Sequence, residues 1–120
     1  MHWSELEVWK KAHGLVLEVY RVTAIFPADE RYGLTSQLRR AAASVPANIV
    51  EGNSRNTTKE YMHFLYQARG SLEEVRYFLL LSRDLGYLQD ANRQQLEEQC
   101  EDISKMLNGL IASLKCKTNT

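Results

Sequence analysis

The sequence predicts an all-α protein, an antiparallel up-down-up-down four-helix bundle, and three observations predict it. Four segments each carry apolar residues at alternating steps of four and three, the spacing of one buried helix face. Proline and glycine turn chemistry separates the segments by short connections, which favour antiparallel neighbours. No run of alternating β-branched residues bounded by turn residues reads as a strand. The expected helices are about 4–26, 35–51, 58–85 and 90–114, in a single domain spanning 1–120.

The first segment places Val8, Ala12, Leu15, Val19, Val22 and Phe26 on one stripe. Ser4 and Glu7 form a capping box at its start, and Phe26-Pro27 ends it, because the residue before a proline is pushed out of helical angles. A polar connection with Gly33 available for a turn leads to the second segment. Its apolar positions are Leu38, Ala41 or Ala42, Val45 and Ile49, and Gly52 with Asn53 supplies the C-terminal stop. Pro46 removes a backbone donor and crowds the preceding turn, so a kink or a broken hydrogen bond is expected near Ala42.

The third segment holds Tyr61, Leu65, Ala68, Leu72, Val75, Leu79 and Ser82 in register. A second capping box, Thr57 with Glu60, opens it and Gly86 closes it. Asp90 is expected to cap the fourth segment, whose stripe is Leu96, Cys100, Ile103, Leu107, Leu110 and Leu114. The tail 115–120 is polar and expected to fray.

Composition narrows the classes. In 120 residues, 15 Lys+Arg balance 15 Asp+Glu, so a polybasic coat for nucleic acid is excluded. With 44% hydrophobic residues and only 2 Pro, the chain can bury one core and is not disordered. The longest apolar stretch, Tyr77 to Leu81, falls far short of a membrane span, and the start MHWSELEVWKK lacks a basic stem with an apolar signal core. A soluble, cytoplasmic protein is expected. Cys100 and Cys116, placed on one helix, would stand about 24 Å apart at 1.5 Å per residue, too far to bridge.

Several residues exceed what one buried stripe per helix uses. Phe64, Tyr66 and Tyr77 lie off the Leu65/Leu72/Leu79 line, and Tyr77 to Leu81 is apolar all round. Either a broad core absorbs them or they form a subunit interface. Trp3, Trp9 and Tyr20 add large apolar area on the first helix, which makes Trp9, Tyr20, Tyr66, Tyr77 and Leu81 the candidates for an oligomer interface. Gly70 in mid-helix costs about 1 kcal/mol relative to Ala. Close approach of Ala41-Ala42-Ala43 and Ala47 is expected to compensate. Arg40, Ser44, Asn48 and Glu51 make a polar line along the second helix. The line is either solvated or a partly buried network, with Glu51 paired to an arginine across a helix or subunit boundary.

Tests for catalytic chemistry find little. Glu60-Tyr61-Met62-His63 is a Glu-x-x-His step, which di-iron bundles use twice. It occurs once here, and Glu60 is already explained as a cap. There is no Gly-rich phosphate loop, Cys-x-x-Cys pair or nucleophile elbow, so no catalytic residue, metal or cofactor is expected. Charge is unevenly spread. The stretch from Arg31 to Arg69 has six basic and two acidic residues, a net +4, and Asp84 to Asp102 has six acidic and one basic, a net −5. Arg39, Arg40, Arg55, Lys59 and Arg69 are candidates to meet phosphate, with Asn56 and Thr57 as neutral donors. Alternatively the basic and acidic surfaces pair between subunits.

The stretch FPADERYGLTSQLRRAAASVPANIVEG, then NSRNTTKEYMHFLYQARGSLEEV and LGYL, resembles the small four-helix-bundle proteins encoded within intervening sequences of bacterial 23S ribosomal RNA genes. The similarity runs from Trp9 to about Leu110 and rests on Gly33-Leu34, Gln37-Leu38, Arg39-Arg40-Ala41, Ser44, Asn48, Glu51-Gly52, Gly70-Ser71 and Glu74. It implies a bundle that assembles into a five-fold ring. A related branch serves as the accessory protein of diversity-generating retroelements, binding nucleic acid and a reverse transcriptase. The resemblance thus implies a non-enzymatic, pentameric scaffold for RNA or a nucleoprotein, or alternatively an accessory subunit of a reverse transcriptase acting through protein contacts. It also places Arg40, Asn48 and Glu51 in the family's signature segment.

Overall fold

The computed structural model describes residues 1–118. Four helices follow in order: α1 Glu7–Thr23, α2 Leu34–Asn53, α3 Thr58–Asp84 and α4 Asp90–Thr118. Single 3-10 turns at Trp3–Glu5 and Ala28–Glu30 precede α1 and α2. Among the described residues no strand is present. α1 packs on α2 and α4, α3 packs on the same two, and the diagonal pairs do not meet. Hydrogen bonds fix the senses. Ser71 meets Ser44 while Tyr61 meets Asn53, and Arg69 meets Asn108 while Arg76 meets Glu101. Numbers rise on one helix as they fall on its neighbour, so the bundle is antiparallel, up-down-up-down, with extents of 50 × 24 × 20 Å.

The predicted stripes are the core. Val8, Ala12, Leu15, Val19, Val22 and Phe26 are buried, as are Leu38, Ala41, Ala42, Val45 and Ile49. So are Leu65, Ala68, Leu72, Val75, Leu79 and Ser82 on α3 and Leu96, Cys100, Ile103, Leu107 and Leu114 on α4. Tyr61 is only partly buried, and on α4 Ile111 is buried where Leu110 was expected. Helical steps of 100° let the buried line drift by one position along so long a helix.

The ends differ from expectation at several points, and α1 stops at Thr23, short of Phe26-Pro27. Ser4 caps nothing on α1: it sits in the first 3-10 turn, where its backbone N–H donates to His2 Nδ1 at 3.3 Å. Leu6, extended, precedes α1 instead and offers no side-chain cap. That turn brings Trp3 to within 4.8 Å of Trp9, centroid to centroid, so aromatic packing sets the entry angle. Asp90 is the first residue of α4 rather than its cap, and its carboxylate accepts from Arg83 and Gln94. An acidic side chain in a first turn still offsets the exposed N–H groups there. The tail expected to fray is helical to Thr118; residues 119 and 120 lie outside the described residues. α2 stays one helix through Pro46, whose ring is buried: proline has no N–H for the Ala42 carbonyl, so the hydrogen bond expected to break there is missing without dividing the helix.

Of the capping box expected at Thr57 and Glu60, one half forms: Thr57 Oγ1 accepts from the N–H of Glu60 at 3.1 Å. Gly86 closes α3 with φ +82°, the left-handed conformation a side chain disfavours. Its N–H donates to Arg83 and that of Tyr87 to Ser82, which satisfies two terminal carbonyls. At the same end of the bundle Tyr87 Oη donates to Glu30 Oε2 at 3.1 Å, tying the two connections together. Glu30 Oε1 also receives the N–H of Leu34 and so caps α2.

The roles expected of two glycines are redistributed. Gly52 does not stop α2; it lies inside the helix, where a Cβ would stand 2.9 Å from Phe64 Cβ and 3.1 Å from the Tyr61 carbonyl. Gly70, expected to admit the alanines of α2, faces open space. The close backbone approach between α2 and α3 is therefore made at Gly52. Gly52→Ala is expected to destabilise the fold by about 1–3 kcal/mol through overpacking, although alanine is the better helix former. A fall in the urea midpoint at constant slope would show it; a rise would refute the close approach.

Candidate functional site

The polar line of α2 lies along the seam with α3. Asn48 Nδ2 donates to the Ser44 carbonyl at 2.8 Å and to Ser44 Oγ at 3.0 Å, and Ser71 Oγ donates to Ser44 Oγ at 3.1 Å. Three side chains are thus joined across the seam, all of them half-buried. Beside them opens a groove of about 270 Å³, lined by Gln37, Arg40, Ala41, Ser44, Ser71, Glu74 and Phe78. Small residues on both helices make the depression, and Arg40 and Glu74 put opposite charges in it. Among the described residues neither has an ion-pair partner. Glu51 lies beyond the groove and pairs with Arg55, four residues on, so its arginine is local rather than across a helix boundary.

Ser71, Glu74 and Phe78 are the wall that the residue pattern alone passed over. They fall at i, i+3 and i+7 on α3, one face away from the core line, which is the signal that could have found them.

The basic candidates are dispersed. Arg39 lies in the α1–α2 seam, where its Nε donates to Thr23 Oγ1 at 2.8 Å and its guanidinium covers the Tyr20 ring at 4.5 Å. Arg40 faces the opposite seam. Arg55 and Lys59 come together at the α2–α3 turn, around a second hollow of about 390 Å³ with Glu60, His63 and Phe64. Arg55 stacks on Phe64 there at 4.8 Å. Arg69 belongs to the α3–α4 side, bonded to Asn108 and set over Tyr66. A run that is contiguous in sequence is spread over three sides of the bundle because each helix turn rotates it away.

A family model for the 23S rRNA-intervening sequence protein matches residues 4–109. The chain belongs to that family. Among the solved structures it is similar to is a protein of unknown function from the S23 ribosomal protein family of Bacteroides thetaiotaomicron, 19% identical. The match covers 88% of this chain and 95% of that one, with a TM-score of 0.80, and shows the shared fold. No match was found among curated proteins. Six residues on which the resemblance rests, Gln37, Arg40, Ala41, Ser44, Ser71 and Glu74, are six of the seven that line the groove. What is dispersed through α2 and α3 of this 23S rRNA-intervening sequence family protein is thus gathered onto one surface.

The acidic stretch is knit into the α3–α4 side. Arg76 reaches Glu73, Glu97 and Glu101. Partial burial works against its charge, but hydrogen bonding to Glu97 and the three carboxylates outweigh it and hold its pKa above the usual value. Arg83 likewise joins Asp84 to Asp90. Among the described residues no group of three His, Cys, Asp or Glu side chains could hold a metal ion, and His63 instead meets Gln67 at 3.0 Å. No helix there is long and apolar enough to cross a membrane.

Both cysteines are free, Cys100 buried and Cys116 exposed. Burial pushes the Cys100 thiol up to about 12, with Glu97 adding to the shift and Arg76 opposing it. The folded state therefore keeps a proton that the unfolded chain releases near pH 9, so stability is complete below about pH 9 and declines toward pH 12. A maleimide at neutral pH is expected to label Cys116 alone until the protein unfolds. Cys100→Ala should remove part of the alkaline decline, measured as urea midpoint against pH; an identical profile would refute the assignment.

Proposed function

We propose that this family member is a non-enzymatic cytoplasmic scaffold that assembles head to tail into a ring and presents repeated grooves and basic groups to RNA. The observation that carries the reading is a pair of unlike apolar faces left over after the core is built. On the outside of α1, Leu17 is 58% and Tyr20 47% exposed; on the outside of α3, Tyr77 is 58% and Leu80 37% exposed. Leu81 is half-buried beside them, and Trp9, stacked on His13 with Trp3 tilted against it, continues the α1 side. Tyr66 lies toward α4 with Arg69 and Lys115 over its ring.

α1 and α3 are diagonal in the bundle, so these faces look in opposite directions. Two different faces on opposite sides favour a heterologous contact, which closes into a ring when the rotation permits. Five copies is the number that the family resemblance implies. A ring would repeat the exposed Arg40, Arg55 and Lys59 around its axis, where the net charge of one chain matters less than their local spacing.

Light scattering at micromolar concentration should give a mass several times 13.8 kDa, and Tyr77→Glu should lower it toward one chain with helical circular dichroism unchanged. A wild-type monomer would refute the ring. Affinity for RNA should fall steeply with salt, and Arg55→Ala should weaken binding to all sequences alike. Absence of any RNA binding by an intact ring would favour the accessory-subunit reading, in which the groove receives a reverse transcriptase.

A further inference from the structure

Gly70 is unexplained by its own chain. It stands in the middle of α3, exposed, and a Cβ built on it would meet nothing within 4 Å, whereas one on Gly52 would collide. A helix-weakening residue with no contact to relieve is a notch in the surface. The notch is placed on a second stripe of α3, away from the core: Tyr66, Gly70, Tyr77 and Leu81, spaced by four, seven and four. Neither tyrosine closes over it. α1 carries a matching second stripe, His13, Leu17, Tyr20 and Ala24, spaced by four, three and four and exposed throughout.

We infer that the outer stripe of α1 from a second copy packs across α3 at Gly70, with Leu17 seated in the notch between Tyr66 and Tyr77. This rests on the head-to-tail reading and names its contact. The two stripes differ in the way a heterologous contact needs, one projecting a leucine and the other recessed at a glycine. Their flanking charges are complementary. Glu73, paired with Arg76, and Glu74 lie one turn beyond Gly70, while on the face of Leu17 Lys10 lies two turns before it and Arg21 one turn after. Glu74 has no ion pair among the described residues, and Lys10 and Arg21 are held only by exposed pairs three residues away, which re-form at little cost. Glycine lets two helix backbones approach closely enough for such a leucine to be enclosed, and a side chain there would prop them apart.

Gly70→Ala and Gly109→Ala separate the contact from the fold, because Gly109 on α4 is equally open and exposed. In a Tyr77→Glu background, which keeps copies apart, both are expected to raise the thermal midpoint by about 4 °C through helix propensity. In the otherwise unaltered chain, Gly70→Ala should weaken association about tenfold and Gly70→Gln more, while Gly109→Ala leaves it unchanged, as read by analytical ultracentrifugation. Assembly that tolerates all three variants would overturn the inference and leave the ring standing; a wild-type monomer would overturn both. The occupant is tested in chains carrying Cys116→Ser. Leu17→Cys and Glu74→Cys chains, which keep the glycine, should cross-link under mild oxidation when mixed, and an intact assembly in which they do not, or in which Leu17→Cys cross-links only with itself, would overturn the pairing.

Discussion

The closeness of α2 to α3 is the constraint on which the rest of the structure depends. Ala41, Ala42 and Ala68 are buried, Gly52 accepts Tyr61 and Phe64 against its backbone, and Ser44 reaches Ser71 directly. Small residues over most of a helix face let two helices lie against each other, and Gly52 leaves the room that Tyr61 and Phe64 occupy at one end of the seam. Farther along it, Arg40, Glu74 and Phe78 border a shallow groove. The shape of the candidate site is thus a by-product of how the core was closed.

The same closeness explains the division of charge. The α2–α3 seam is held by hydroxyl and amide contacts that involve no ion pair between the helices, whereas the α3–α4 side is laced by Arg76 and Arg83 to five carboxylates. Pairs this exposed contribute little singly. As a group they consume the acidic groups nearest α3 and leave the groove with Arg40 and Glu74 still available. Among the described residues no ion pair uses those two charges, so they add nothing of that kind to the stability of the seam.

How much could be read in advance varies with the interaction concerned. The five buried apolar positions of α1, Phe26 beyond it and all six buried positions of α3 were legible, because helical periodicity is a property of the backbone and needs no partner to be named; Tyr61, named with them, is only partly buried. Helix ends were less so. Thr57 and Gly86 acted as their residue types suggest, while Ser4 and Gly52 were claimed by Trp packing and by α3 respectively. Local chemistry offers a cap; tertiary contact decides whether the position is free to act as one. The groove was half legible. Arg40 and Ser44 lie on one line of α2, with Asn48 just beyond the groove, but Ser71, Glu74 and Phe78 belong to the wall only because α3 runs antiparallel at a particular height.

By itself, then, the sequence determined the class of fold, the number of helices, their buried faces and the turns between them, since each follows from periodicity and turn chemistry within a short window. Tertiary structure alone decided which glycine admits a neighbouring backbone, which of the clustered arginines share a surface, and which apolar residues stay outside. Those outcomes depend on the height and rotation of one helix against another, and that is set by the summed packing of side chains distant in the chain rather than by any one segment.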